Sequence, residues 1–146
     1  MPEERGESMD SIQLKLCDIQ GRLFERSLPY ASEGFIRDFM NSEVAEHLDS
    51  SFNKLQWMGE EYLMEELEEE KDLSTEGEKY SSEVLYWIGY LYRYWACTRK
   101  EKSKKIYRQA PAKTMKRNYL AFHTLDPEVA IDDLIEISKQ RRGKRI

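Results

Sequence analysis

The stretch SSEVLYWIGYLYRYWAC, residues 81–97, carries an apolar or aromatic side chain at almost every position. Ser81 or Ser82 can cap a helix whose apolar surface then runs nearly all the way round, and such a helix lies either in a core or beneath a partner. Its longest uninterrupted run, residues 84–92, is about half of what a bilayer-spanning helix needs. The segment is therefore expected to be the central helix of a water-soluble molecule. Two stripes divide it. Val84, Ile88, Leu91 and Trp95 form one, while Tyr86, Tyr90 and Tyr94 recur at four-residue spacing and form the other. Trp87 and Trp95, eight positions apart, fall near one face and are expected to anchor the core against the second and third helices. Core packing comes first as the use of both stripes. If the tyrosine stripe is exposed, Tyr86, Tyr90 and Tyr94 with Arg93 beside them are candidate partner-binding residues, because Tyr and Arg are enriched at binding hot spots.

Working outward, apolar residues recur at three- and four-residue intervals, and Gly and Pro fall mainly between the periodic stretches. A first helix over residues 9–27 buries Ile12, Leu16, Ile19 and Leu23, although the alternation of Ile12, Leu14 and Leu16 leaves a strand open at its start. Pro29 ends it. Ser32 can cap a second helix through Phe35, Ile36, Phe39, Met40, Val44 and Leu48, with Asn41 and Ser42 as a possible break. A third, over residues 51–71, carries Phe52, Leu55, Trp57, Met58, Tyr62, Leu63 and Leu67 and has an acidic outer side. Residues 72–79, with Gly77, form a polar break before the central helix. After Arg99 come short basic helices over residues 103–110 and 111–123, the latter opening on a proline. A last helix opens at Asp126-Pro127, burying Val129, Leu134 and Ile137 and fraying into a basic tail at 139–145. The expectation is an all-α, single-domain helical bundle of about six to seven helices, residues 1–146, with a basic C-terminal helical subregion and flexible tails at 1–8 and 141–146.

Size agrees with one domain, at 146 residues. Charged residues make up 35% of the chain, and their signs are segregated: residues 1–98 hold 22 acidic and 9 basic side chains, residues 99–146 hold 6 and 14. Such polarity steers partners of opposite sign. Three Trp, nine Tyr and five Phe argue against a disordered chain. The two cysteines, Cys17 and Cys97, lie far apart in sequence and lack CxxC spacing, which argues against a disulfide framework and for a reducing cytoplasm. The acidic opening MPEERGESMD lacks the basic start of a secretory signal, and no membrane association is expected.

Chemistry-bearing patterns are few. In EELEEE, residues 65–70, helical spacing pairs Glu65 with Glu69 and Glu66 with Glu70. His47 and His123 are the only histidines and neither sits in an ExxH pattern, so a solvated helix face is expected rather than a metal site. Cys17 and Cys97 read as buried, inert thiols. No nucleophile-elbow, zinc-protease, dinucleotide or P-loop pattern occurs, which points to no catalytic residue and no cofactor. His123 is expected to bond a carbonyl at the end of its helix. The basic stretch is the stronger signal, and its candidates for contacting nucleic acid or an acidic partner are Lys104, Lys105, Arg108, Lys113, Lys116 and Arg117. Its two short helices fit a helix-turn-helix loosely, and the overall acidity of the chain opposes phosphate binding. Packing of this stretch against the acidic third helix is the plainer alternative.

The strings FMNSEVAEHLDS (39–50), LQWMGEEYL (55–63), SSEVLYWIGYLYRYW (81–95) and APAKTMKRNYLAFHTLDP (110–127) resemble a family of short helical proteins of gut Firmicutes. The resemblance covers most of the chain. It implies coding in toxin–antitoxin neighbourhoods, often beside toxins with an ADP-ribosyltransferase-like fold, and hence an antitoxin or immunity protein. No catalytic residues come with it, and the acidic run 65–70 and the basic tail 139–145 lie outside it. The function expected is non-enzymatic: neutralisation of a cognate toxin by direct contact, with a DNA-binding autorepressor acting on operator DNA through residues 99–117 as the alternative.

Overall fold

The computed structural model describes residues 9–50 and 58–143. Among them are eight helices and no strand: α1 (Ser11–Glu25), α2 (Ser32–Met40), α3 (Glu43–Asp49), α4 (Glu60–Glu70), α5 (Ser82–Arg99), α6 (Ser103–Gln109), α7 (Ala112–Phe122) and α8 (Pro127–Gly143). The fold is all-α. The count exceeds six to seven because the 32–48 helix breaks at Asn41-Ser42, where the Ser42 hydroxyl accepts from the Ala45 amide and starts α3.

The antiparallel pair α1 and α5 forms the spine, and two glycines set how closely they pack. A Cβ on Gly89 would lie 2.6 Å from the Gln20 carbonyl oxygen, and one on Gly21 would lie 2.7 Å from the Tyr86 ring. Only hydrogen fits at both positions, so backbone meets backbone at one and ring meets backbone at the other. Around this contact Phe24 packs edge-on against Phe35 and Phe39, at 5.4 and 5.3 Å between ring centres, and against Tyr92 at 6.3 Å. Tyr92 is fully buried and donates its hydroxyl to the Ala110 carbonyl, fastening the α6–α7 junction to the spine.

Several sequence expectations need correction. No strand begins α1: Asp10 and Gln13 form a reciprocal capping box, and the resulting helix turns Ile12 (51% exposed) outward instead of burying it. Leu14 is likewise exposed. Ser32 is the first residue of α2 and not its cap; its hydroxyl accepts from the Tyr80 amide. The polar break doubles as a strap, because the carbonyls of Ser74 and Glu78 accept from the amides of Ala31 and Ser32 at the start of α2. Helix α4 starts after Gly59, and Phe52, Leu55 and Trp57 lie outside the described residues. Within α4, Leu63 and Leu67 are buried and Tyr62 is exposed.

Trp95 is buried and donates its indole N–H to Glu101 at 2.7 Å, as a core anchor should. Trp87, expected to join it against the second and third helices, is half-buried and packs edge-on against Tyr119 of α7, at 5.6 Å. In α8 Leu134 is buried with Ala130 and Ile131, whereas Val129 and Ile137 are only half-buried. The expected flexible end at 141–146 is helical through Gly143. Arg141 there donates to Thr114 and to the carbonyls of Arg108 and Gln109. Residues 1–8 and 144–146 lie outside the described residues.

Candidate functional site

Arg93, a candidate binding residue on the condition that the tyrosine stripe is exposed, is 1% exposed. Its guanidinium donates to Gln20 Oε1 (2.8 Å), to Asp49 Oδ1 (2.8 Å) and to Ser103 Oγ (3.3 Å). Asp49 also accepts from the Ser103 amide and hydroxyl, both at 2.9 Å, and the Gln20 amide donates to the Gly89 carbonyl at 3.0 Å. Four helices, α1, α3, α5 and α6, thus meet at one closed polar network. A buried guanidinium needs such saturation, because its desolvation is repaid only by well-aligned partners. Arg93 is therefore an internal tie and not a binding residue.

The tyrosines, for which core packing came first, are neither buried nor fully exposed. Tyr86, Tyr90 and Tyr94 are half-buried and form a ladder along α5, with ring centres 6.0 and 6.3 Å apart. The Tyr86 hydroxyl donates to Asp18, and its ring covers Gly21. Burial, followed by that hydrogen bond, raises the Tyr86 phenol above its ordinary value, and burial raises those of Tyr90 and Tyr94. All three remain neutral donors at physiological pH. Sequence reading missed the neighbouring cluster: Trp87 meets Tyr119, and Tyr119 stacks on His123 with ring centres 4.3 Å apart. The four-residue spacing of Tyr119 and His123 was a visible signal for that stack. His123 also bonds the Tyr119 carbonyl through Nδ1, the helix-end role expected of it.

Beside the aromatic rings, α6 and α7 turn their cations to solvent. Lys104, Lys105, Arg108, Lys113, Lys116 and Arg117 are all exposed. Lys105 pairs with Glu101 and Lys116 with Glu78, whereas Lys104, Arg108, Lys113 and Arg117 form no ion pair among the described residues. Lys116 also lies over the Tyr80 ring, 4.9 Å from its centre. On the same helix Leu120 is 82% exposed, and Leu125 is exposed just beyond it. The basic segment does not take the acidic helix as its main packing surface: α4 packs on α1 and α3, while α6 and α7 pack chiefly on α2 and α5.

The acidic run stays largely in solvent, with some of its carboxylates engaged. Glu70 accepts from the Glu43 and Val44 amides at the start of α3, and Glu68 accepts from the Tyr30 hydroxyl. Among the described residues no three His, Cys, Asp or Glu side chains gather as metal ligands would, and no helix is long and apolar enough to cross a membrane. Cys17 and Cys97, remote in sequence, fall together across the antiparallel α1–α5 contact, because Cys17 lies 3 residues before Gln20 and Cys97 lies 4 after Arg93, and those two side chains hydrogen-bond each other. Cys97 lines a cleft of about 440 Å³ between the start of α1 and the ends of α3 and α5. Comparison of the chain with protein-family models, with curated proteins and with solved structures finds no match.

Proposed function

We propose that this chain is a non-enzymatic binding protein of the cytoplasm that captures a protein partner with an acidic surface. In line with its resemblance to antitoxin-like helical proteins, the partner is a toxin of ADP-ribosyltransferase-like fold, which the chain neutralises by covering it. The observation that carries the reading is the α5–α7 surface: α5 carries the half-buried ladder of Tyr86, Tyr90 and Tyr94, Trp87 joins it to Tyr119 of α7, and α7 also exposes Leu120, Lys113 and Arg117. An apolar aromatic centre with a charged rim is the usual anatomy of a protein interface, and occlusion of a toxin requires affinity without a reacting group. Rings already fixed in a ladder lose little side-chain entropy when a partner settles on them.

The test is coexpression with the product of the neighbouring gene, read as copurification and growth rescue. Leu120→Glu and Tyr90→Ala should abolish both while leaving the melting temperature within a few degrees of the parent. Undiminished copurification by both variants would remove the surface from the interface.

A second reading uses the same cations on operator DNA, supported by the exposure of all six basic candidates on adjoining helices. It requires operator binding that weakens steeply with salt, and uniformly with Lys104→Ala and Lys105→Ala. No mobility shift of its own promoter at low salt would dismiss it.

A further inference from the structure

The α1–α5 contact holds a pair of thiols in unlike settings. Cys17, on α1, is completely buried; Cys97, on α5, is partly exposed and lines the cleft with Arg93, Lys100 and Lys102. The two are brought together by the register that seats Gln20 against Gly89 and Arg93, one helix running antiparallel to the other. The missing Cβ atoms of Gly21 and Gly89 draw the helix backbones nearer than larger side chains would allow. Bridging two cysteines demands such proximity, with Cα atoms within roughly 7 Å.

We propose that Cys17 and Cys97 are a peroxide-responsive dithiol, with Cys97 the attacking sulfur and Cys17 the resolving one. The chemistry closes with one peroxide. The Cys97 thiolate attacks a peroxide oxygen, the O–O bond breaks, two electrons pass from sulfur to oxygen and the released hydroxide takes a proton to leave as water. Cys97 is then a sulfenic acid. The Cys17 sulfur, surrendering its proton, attacks the Cys97 sulfur; the S–S bond forms, the S–O bond breaks and a second water leaves. Two thiols and one hydrogen peroxide become one disulfide and two waters, and a small dithiol reductant reverses the change.

The assignment of roles follows from surroundings. Interaction with Cys17 lowers the Cys97 thiol below its ordinary value, and the Arg93 guanidinium acts in the same direction against burial and the carboxylates of Asp49 and Asp10. Interaction with Cys97 and burial raise Cys17. The partly exposed Cys97 is thus the thiol that peroxide reaches and whose ionisation is eased, and the fully buried Cys17 lies behind it. Closure would covalently fix α1 to α5 and remove the Cys97 thiol from the lining of the cleft.

The experiment treats the reduced full-length protein with equimolar hydrogen peroxide, quenches with N-ethylmaleimide in denaturant and reads intact mass. The expected result is a monomer lighter by two hydrogens that takes up no maleimide, with a Cys17–Cys97 cross-linked peptide after digestion. In the native reduced protein, brief alkylation should label Cys97 first and Cys17 only after denaturation. With Cys17→Ser, dimedone should trap a sulfenic acid on Cys97. If that variant does not fold, the labelling order and the wild-type mass decide the matter. Retention of two maleimide-reactive thiols after peroxide, disulfide dimers in place of the monomer, or faster native labelling of Cys17 would each overturn the proposal.

Discussion

Asp49→Ala is the sharpest probe of the spine. The Asp49 side chain is 8% exposed and accepts three hydrogen bonds, one from Arg93 and two from Ser103. It sits at the last residue of α3, where the helix dipole disfavours an acid, so its stability there comes from those partners. Helix α6 gains from the same carboxylate, because Lys102 gives no side-chain cap and the Ser103 amide is satisfied by Asp49 instead. Removing it leaves a guanidinium that is 1% exposed without its counter-charge and an amide without its acceptor. Breaking a buried pair from one side costs about 3 to 5 kcal/mol, and at about 2 to 4 °C per kcal/mol for a chain of this length the melting temperature should fall by about 10 °C. Thermal melts of Asp49→Ala, Arg93→Met and the double variant form a cycle. The double variant should be less destabilised than the sum of the singles by about 2 kcal/mol, since removing both partners leaves no stranded charge. An Asp49→Ala protein that melts within two or three degrees of the parent, or strictly additive single changes, would refute the claim that this network ties four helices together.

Further expectations come from the same packing. Gly89→Ala should destabilise by about 1 to 3 kcal/mol despite alanine's better helix propensity, because the new methyl meets the Gln20 carbonyl. Gly21→Ala should cost less, since the Tyr86 ring in its way can swing. Chemical denaturation of the two variants gives the comparison, and equal costs would contradict it. Trp95→Ala should lose about 3 to 5 kcal/mol and Trp87→Ala about half of that, because only Trp95 is fully buried. Melts showing the reverse order would mean that the two faces of α5 have been exchanged. Stability should hold to about pH 9 and fall above about pH 10. Burial raises the phenols of Tyr92, Tyr80 and Tyr86 in the fold, so the unfolded chain loses those protons first, with a slope of about 1.4 kcal/mol per pH unit for each group still protonated in the native state. Denaturant midpoints flat from pH 8 to 11 would exclude this linkage.

The helix map was legible in the sequence because it depends on local chemistry. Ser81 caps α5, Ser42 starts α3 and Asp126-Pro127 opens α8, and each signal lies within a few residues of the turn it governs. Which way a helix face turns is not a local matter. On α5, Arg93 lies within one residue of Tyr94 and three of Tyr90, so periodicity groups it with the stripe. Its inward direction is set by Gln20 and Asp49, 73 and 44 positions away. The same holds for Trp87, whose partner Tyr119 lies on α7, and for the two cysteines. Sequence separation said nothing about their contact, because the α1–α5 register that joins them is fixed by two glycines. Ile12 failed for a smaller reason: in the first turn of α1 it borders the open cleft between α1, α3 and α5, which leaves it in contact with solvent however well its spacing fits.

The inward Arg93 bears directly on the outer surface. Tyr90 and Tyr94 flank Arg93 along α5, and Gln20, which holds Arg93, lies two residues from Asp18, which holds Tyr86. The ladder of rings and the buried network are therefore two sides of one helix pair, ordered by the same α1–α5 register. Rotating α5 enough to bring Arg93 to solvent would leave Asp49 unpaired and remove the Tyr86 ring from Gly21. Both changes are costly, so the tyrosine face is held in one orientation before any partner arrives. In the binding role proposed above, a surface fixed in this way would favour selectivity, because a partner would have to match ring positions that the core has already set.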